Sequence, residues 1–256
     1  MILERVYDLA RPRLFDKKIR DVRIGLNLMG VELDDGSLGV TYVLRNEVGH
    51  GCTALAQAGR LVGMSALEIA KWPLALGGNS VIATAMGLAV LNSVAEFDKL
   101  EQVNVQGTDA VFAAEIQPSD TIGVIGHIGP VIANLKNRVQ RLLIFERGVE
   151  AIGQIYPETS QSKLLPECDV VFVSSSSLIN GTLENVLSYC TKTRDVVMVG
   201  ASTPMYPAAF SGTAVTVLSG TRWLSANREV ILSSISQSAG LKQLISYGQK
   251  MSVTTL

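Results

Sequence analysis

From its second residue the chain places apolar side chains at helical spacing, Ile2, Leu3, Val6, Leu9 and Ala10, and Pro12 predicts an early end to that helix. At Val22 the period changes to two: Val22, Ile24, Leu26 and Leu28 alternate with Arg23, Gly25, Asn27 and Met29, the pattern of a half-buried strand. Asp34-Asp35-Gly36 predicts a turn into a second strand over 38–44, completing a hairpin. Helical patterns follow over 65–71 and 80–97, separated by Pro73 and the Gly77-Gly78 pair. The first part of the chain therefore reads as α+β.

A polar stretch over 102–108 and a short helical pattern over 109–116, closed by Pro118, predict a domain boundary near residue 105. Beyond it the alternation is regular. Apolar strands are predicted at 122–126, 142–146, 169–174, 196–200 and 214–218, mostly separated by helical patterns. Near-continuous apolar strands alternating with helices predict a parallel sheet covered on both faces, and right-handed crossovers then give a Rossmann-like domain. The expected architecture is α/β: a small N-terminal α+β domain over 1–105 and a Rossmann-like ligand-binding domain over 106–256.

Composition narrows the partners. With 22 Lys plus Arg against 23 Asp plus Glu, the formal net charge is -1, which argues against nucleic acid or an anionic membrane surface as partner. The apolar stretch 81–94 is shorter than the roughly 20 residues of a membrane span. Glu4, Arg5 and Asp8 interrupt the first apolar run where a signal peptide would need continuity, so the expected location is the cytoplasm. Cys52, Cys168 and Cys190 are then expected as reduced thiols.

In a doubly wound sheet, ligands bind beyond the carboxyl ends of the strands. Three of the predicted junctions share one chemistry. After the first strand comes Gly126-His127-Ile128-Gly129-Pro130, a tight glycine turn with Pro130 suited to a first helical position. After the third come Ser174, Ser175, Ser176 and Ser177, then Asn180-Gly181-Thr182 ahead of a helix carrying Leu183 and Val186. After the fourth come Ser202 and Thr203, with Thr203 expected to cap a helix opening at Pro204. Glu146 closes the second strand, where a carboxylate commonly accepts from ribose hydroxyls or else pairs with Arg147. Val124 stands where the dinucleotide fingerprint requires glycine, which weakens a standard NAD site. His127 is a rim imidazole suited to ligand contact or proton shuttling, and His50 with Cys52 offers two soft donors in a spacing unlike the usual structural zinc patterns. No nucleophile elbow, zincin helix or P-loop occurs.

The segments 123–130, Leu143-Ile144-Phe145-Glu146-Arg147, Leu165 to Asp169 into the serine run, Asn180-Gly181-Thr182-Leu183, 200–204 and, in the N-terminal part, Met86 to Asn92 resemble the putative heavy-metal-chelation domain family of prokaryotes. The resemblance implies a domain like the first domain of enolase joined to a Rossmann-like domain, with a ligand site in the cleft between them. Gly129 departs from the family, in which bulkier residues often follow the Gly-His pair. The resulting expectation is a protein that binds, and on one reading modifies, a small anionic metabolite or metal chelator. Its candidate ligand-binding residues are Gly126, His127, Glu146, Ser174, Ser175, Ser176, Asn180, Gly181, Thr182, Ser202 and Thr203. Two alternatives stay open, a nucleotide-cofactor enzyme using NAD or S-adenosylmethionine and a non-catalytic sensor or carrier of metal complexes. A homodimer is the base-rate expectation for assembly, and no catalytic residue or cofactor is assigned.

Overall fold

The computed structural model describes residues 1–49, 53–75, 80–104 and 110–255. It is a two-domain α/β protein with two sheets. The helix α1 (Ile2–Leu14) precedes a three-stranded antiparallel meander, β1 (Ile19–Ile24), β2 (Leu28–Leu33) and β3 (Leu38–Tyr42). The helices α2 (Ala66–Ile69), α3 (Val81–Ser93) and α4 (Phe97–Glu101) complete the N-terminal part.

Helix α1 runs through Pro12 instead of stopping before it. The lost hydrogen bond would have gone to the exposed residue Asp8, where water can satisfy the carbonyl, while Leu14 one residue-pair further on is fully buried and holds the last turn in place. The strand expected from Val22 to Leu28 is two strands. Its period-two pattern continues by coincidence across a turn at 25–27, where Leu26 is exposed and the Asn27 amide donates to the Ser238 carbonyl. The turn at Asp34-Asp35-Gly36 joins β2 to β3 as expected.

All of β2 is buried because helices cover both of its faces. Met29, Val31 and Leu33 point to the side packed by α3, while Leu28 points to the side packed by α8 (Arg228–Ser236), contributed by the C-terminal half. Glycines set how closely these layers meet. A Cβ on Gly39 would lie 1.9 Å from the Ala89 carbonyl oxygen of α3, and one on Gly25 would lie 2.2 Å from the Ile235 carbonyl oxygen of α8. Glu32, also on the α8 side and buried, is held by Arg20 at 3.2 Å and by Arg228 at 3.4 Å, which offsets the cost of removing its charge from water.

The second sheet contains β4 (Thr121–Ile125), β5 (Arg141–Glu146), β6 (Ile155–Pro157), β7 (Val170–Ser174), β8 (Asp195–Val199), β9 (Val217–Trp223) and β10 (Gly248–Thr254). Their order is β10-β9-β8-β7-β4-β5-β6, parallel except for β10. This is the strand order of a doubly wound sheet, with one antiparallel strand added at the edge. The helices are α5 (Gly129–Leu135), α6 (Gln161–Leu164), α7 (Leu183–Tyr189), α8 and α9 (Leu241–Leu244). The short β6 and the antiparallel β10 lie outside the expected set, and β9 begins three residues later than the 214–218 pattern suggests. The expected boundary near 105 falls among residues outside those described.

Substituting Gly39→Ala should therefore force β3 away from α3 and cost about 1 to 3 kcal/mol of stability. Gly49→Ala, at an exposed position with open space around a new Cβ, serves as the control. Urea denaturation of both variants measures the difference, and equal midpoints would show that the two layers can separate without cost.

Candidate functional site

The chain reverses its direction across the large sheet between β4 and β7: β5 and β6 lie to one side, β8 and β9 to the other. The loops that follow β4 and β7 consequently diverge and leave a crevice, the usual ligand position in such a sheet. Here the crevice is a cleft of about 710 Å³. Gly126, His127, Glu146, Ser174 and Ser176 line it from the large sheet, and Tyr42, Val43 and Leu44 line it from the end of β3. The cleft thus has walls from both halves of the chain.

Each rim residue has a local cause. Gly126 adopts φ +85, which the tight turn after β4 requires, and Pro130 falls in the first turn of α5. His127 is exposed and its imidazole makes no hydrogen bond among the described residues. Ser174 and Ser176 hydrogen-bond one another at 2.8 Å. Burial raises the Tyr42 phenol above its ordinary value, so this lining residue stays neutral. Lys242 and Lys250 add positive charge along the part of the cleft nearest β10.

Beside Glu146 the cleft continues into a recess of about 150 Å³, lined among others by Glu47, Arg147, Glu158, Gln161, Ser177, Asn180 and Thr182. Arg147 does not pair with Glu146. It bonds Glu47 across the two halves at 2.7 Å and Glu158 at 2.8 Å, and the Glu158 contact raises its own already high pKa. Asn180 is used up within the protein, donating to Glu47 at 3.2 Å and accepting from the Thr182 hydroxyl at 2.8 Å. Its role is to hold Glu47.

Four expected contact residues stand elsewhere. Ser202 and Thr203 are buried: the Ser202 hydroxyl accepts from the Tyr42 backbone N–H at 2.8 Å, and the Thr203 hydroxyl donates to the Ser219 carbonyl. Thr203 caps nothing, because the helical turn expected at Pro204 begins at Pro207. The chain first turns at 200–203 and again at 204–206, which seats Tyr206, whose hydroxyl donates to the Leu91 carbonyl. Ser175 is fully buried below the rim, its hydroxyl without a partner and close enough to Gly200 that a Cβ there would lie 2.7 Å from it. Gly181 has φ +71 with open space around a would-be Cβ and does not line the cleft. Its glycine serves the turn that starts α7.

Sequence reasoning missed Glu47, Gln161, Ser177 and the Tyr42–Leu44 wall. Of these only Ser177, the fourth serine of its run, carried a local signal.

A metal centre made by the protein alone would need three or four convergent nitrogen, sulfur or carboxylate donors. Among the described residues no group of three or more His, Cys, Asp and Glu is placed to hold an ion. Cys168 and Cys190 are buried in the core beside the large sheet. Burial, reinforced by Cys190, pushes the Cys168 thiol up to about 12, and burial pushes Cys190 up to about 11. Neither offers the thiolate that binds soft metals near neutral pH. His50 and Cys52 lie outside the described residues. The described donors do not fit a protein-only heavy-metal site.

The same burial has a sign that can be checked. Both thiols hold their protons more tightly in the folded chain, so their contribution to stability is complete below pH 9 and is lost as pH rises through 11 to 12. Urea midpoints should fall over that range, and fall less in Cys168→Ala than in the parent. A fall of equal size in the variant would remove the Cys168 thiol from the account.

Comparison with known proteins agrees with this fold. A family model described as putative heavy-metal chelation matches residues 109–254, and a second with the same description matches residues 7–95. A crystal structure of a protein of unknown function from Pyrococcus horikoshii is 26% identical, with a TM-score of 0.78 over 99% of this chain and 100% of that one. Another, from Desulfitobacterium hafniense, shares the fold at 20% identity, with a TM-score of 0.75 over 98% of each chain. An uncharacterized protein of Methanocaldococcus jannaschii is 23% identical over 237 residues, 90% of this chain and 88% of its own. With its two halves matched by models of one description and its C-terminal match alone exceeding half its length, the chain belongs to the putative heavy-metal chelation family.

Proposed function

We propose that this protein binds a small anionic metabolite or a metal chelator in the cleft between its two sheets. One observation carries the reading: the rim loops after β4, β5 and β7 face Tyr42–Leu44 across about 710 Å³, a volume in the range of small-molecule sites. Lys242 and Lys250 supply the positive charge an anion needs, His127 adds an uncommitted imidazole, and apolar walls from Val43, Leu44 and Ile128 exclude water from one side. The poor fit of the described donors to a protein-only metal centre favours a metal that arrives as part of the ligand. In such an arrangement the chelator supplies the metal's inner ligands and the protein recognises the complex by its charge and shape.

A nucleotide-cofactor enzyme is the second reading, and Glu146 favours it. The residue ends β5, the second strand of the sheet, and its carboxylate has no partner among the described residues, as a ribose-binding acid would. Val124 disfavours it: the position lies inside β4 and is buried where a dinucleotide loop would carry glycine.

Thermal denaturation with citrate, aminocarboxylate chelators with and without divalent metals, NAD(P) and S-adenosylmethionine separates these readings. A ligand present at 100 times its dissociation constant adds roughly 2.7 kcal/mol of stability. The proposed reading expects a shift from an anion or chelator, reduced in His127→Ala and in the double Lys242→Ala, Lys250→Ala variant. A shift from a nucleotide alone would transfer the assignment to the cofactor enzyme.

A further inference from the structure

The recess beside Glu146 has a chemistry of its own. Three carboxylates, Glu47, Glu146 and Glu158, line it against a single guanidinium, Arg147, leaving an excess of two negative charges. Arg147 is already committed to Glu47 and Glu158. The Glu146 carboxylate accepts no hydrogen bond among the described residues. A further polar group in the same walls is unsatisfied although removed from solvent. Ser177 is 4% exposed and its hydroxyl has no partner. Gln161, 6% exposed, also lines the recess, and its side-chain amide makes no hydrogen bond among the described residues. A buried hydroxyl without a partner is costly, and natural structures rarely keep one beside an unpaired carboxylate without a use for it.

We propose that the recess is an ammonium subsite, in which the Glu146 carboxylate, the Gln161 carbonyl oxygen and the Ser177 hydroxyl receive the three N–H donors of a primary amine carried by the ligand. This rests on the reading of the cleft as a small-molecule site and sharpens it: the ligand is an amine-bearing carboxylate whose cationic end enters the recess while its anionic end stays in the main cleft. The charge excess is what selects an amine. A neutral hydroxyl could satisfy the same acceptors, but it would leave Glu146 uncompensated at close range to two other acids. A recess of about 150 Å³ admits an ammonium with a few methylenes and little more. Asn180 acts as a positioning residue through its bond to Glu47, which holds the wall that Arg147 ties down.

The test is isothermal titration of the full chain with matched compounds. 2,4-Diaminobutyrate, ornithine and lysine carry terminal amines, whereas homoserine and 5-hydroxynorvaline end in a hydroxyl on a comparable carbon chain. The His127 imidazole resonance serves as an independent reporter of cleft occupancy, with citrate and adenosine as further probes. The amine-terminated compounds should bind at least tenfold more tightly than their hydroxyl counterparts at neutral pH and low salt. Glu146→Gln should remove that preference, and Gln161→Leu should reduce it at an unchanged urea midpoint. If citrate or the hydroxyl series moves the His127 resonance and the amines gain nothing, the ammonium subsite is wrong and the cleft reading stands. Tighter binding of adenosine than of any amine, lost in Glu146→Gln, would assign the recess to a sugar diol instead. If none of the compounds binds or moves His127, both the subsite and the cleft reading fall.

Discussion

The arrangement depends on the burial of β2 between two helices that come from opposite halves of the chain. One face of the small sheet is covered by α3, from the same half of the chain, and the other by α8, which lies in sequence between two strands of the large sheet. Apolar packing and the tight approaches at Gly25 and Gly39 hold the small sheet in place against both helices. Further bonds lock the same orientation: Ser202 accepts from the Tyr42 N–H, Tyr206 donates to Leu91, and Arg147 joins Glu47. The end of β3 is thereby held opposite the switch point. Without that hold the rim loops would face open solvent, and neither the cleft nor the recess would exist.

Much of the fold was legible because its signals were local. The parallel strands read as apolar runs, since a sheet covered on both faces leaves no reason for alternation, and Ser80 ahead of α3 caps it by accepting from the Ala83 N–H. Most of the failures at the site share one cause, which is distance in sequence. The residues of β10 alternate weakly and become a strand only by pairing with β9, and Ser202 and Thr203 looked like rim hydroxyls until Tyr42 and Ser219 claimed them. Glu146 was visible at its strand end, but its freedom from Arg147 was not, because Glu47, some hundred residues earlier, competes for that guanidinium. Gln161 sits in a four-residue helix with no motif around it, and only its place beneath the recess gives it meaning.

On the proposed reading the two ends of the site ask for opposite charges, which constrains recognition more than volume alone. Lysines at the β10 end and uncompensated acid at the β5 end impose a polarity along the sheet, so a ligand of uniform charge meets one favourable wall and one unfavourable wall. The protonated, buried thiols fit the same picture, since they leave the oxygen and nitrogen groups of the rim as the chemistry on offer.

The position of α8 also bears on how the protein is made. Strand β3 ends at Tyr42 and the helix that covers its sheet starts at Arg228, roughly 190 residues later. At about 5 to 20 residues per second of synthesis, one face of the small sheet waits on the order of ten to forty seconds for its cover. During that interval Leu28, Leu38 and Val40 present an apolar surface on the growing chain. A ribosome-bound fragment that ends before α8 is consequently an adhesive species, and the cell must either shield it or finish it quickly.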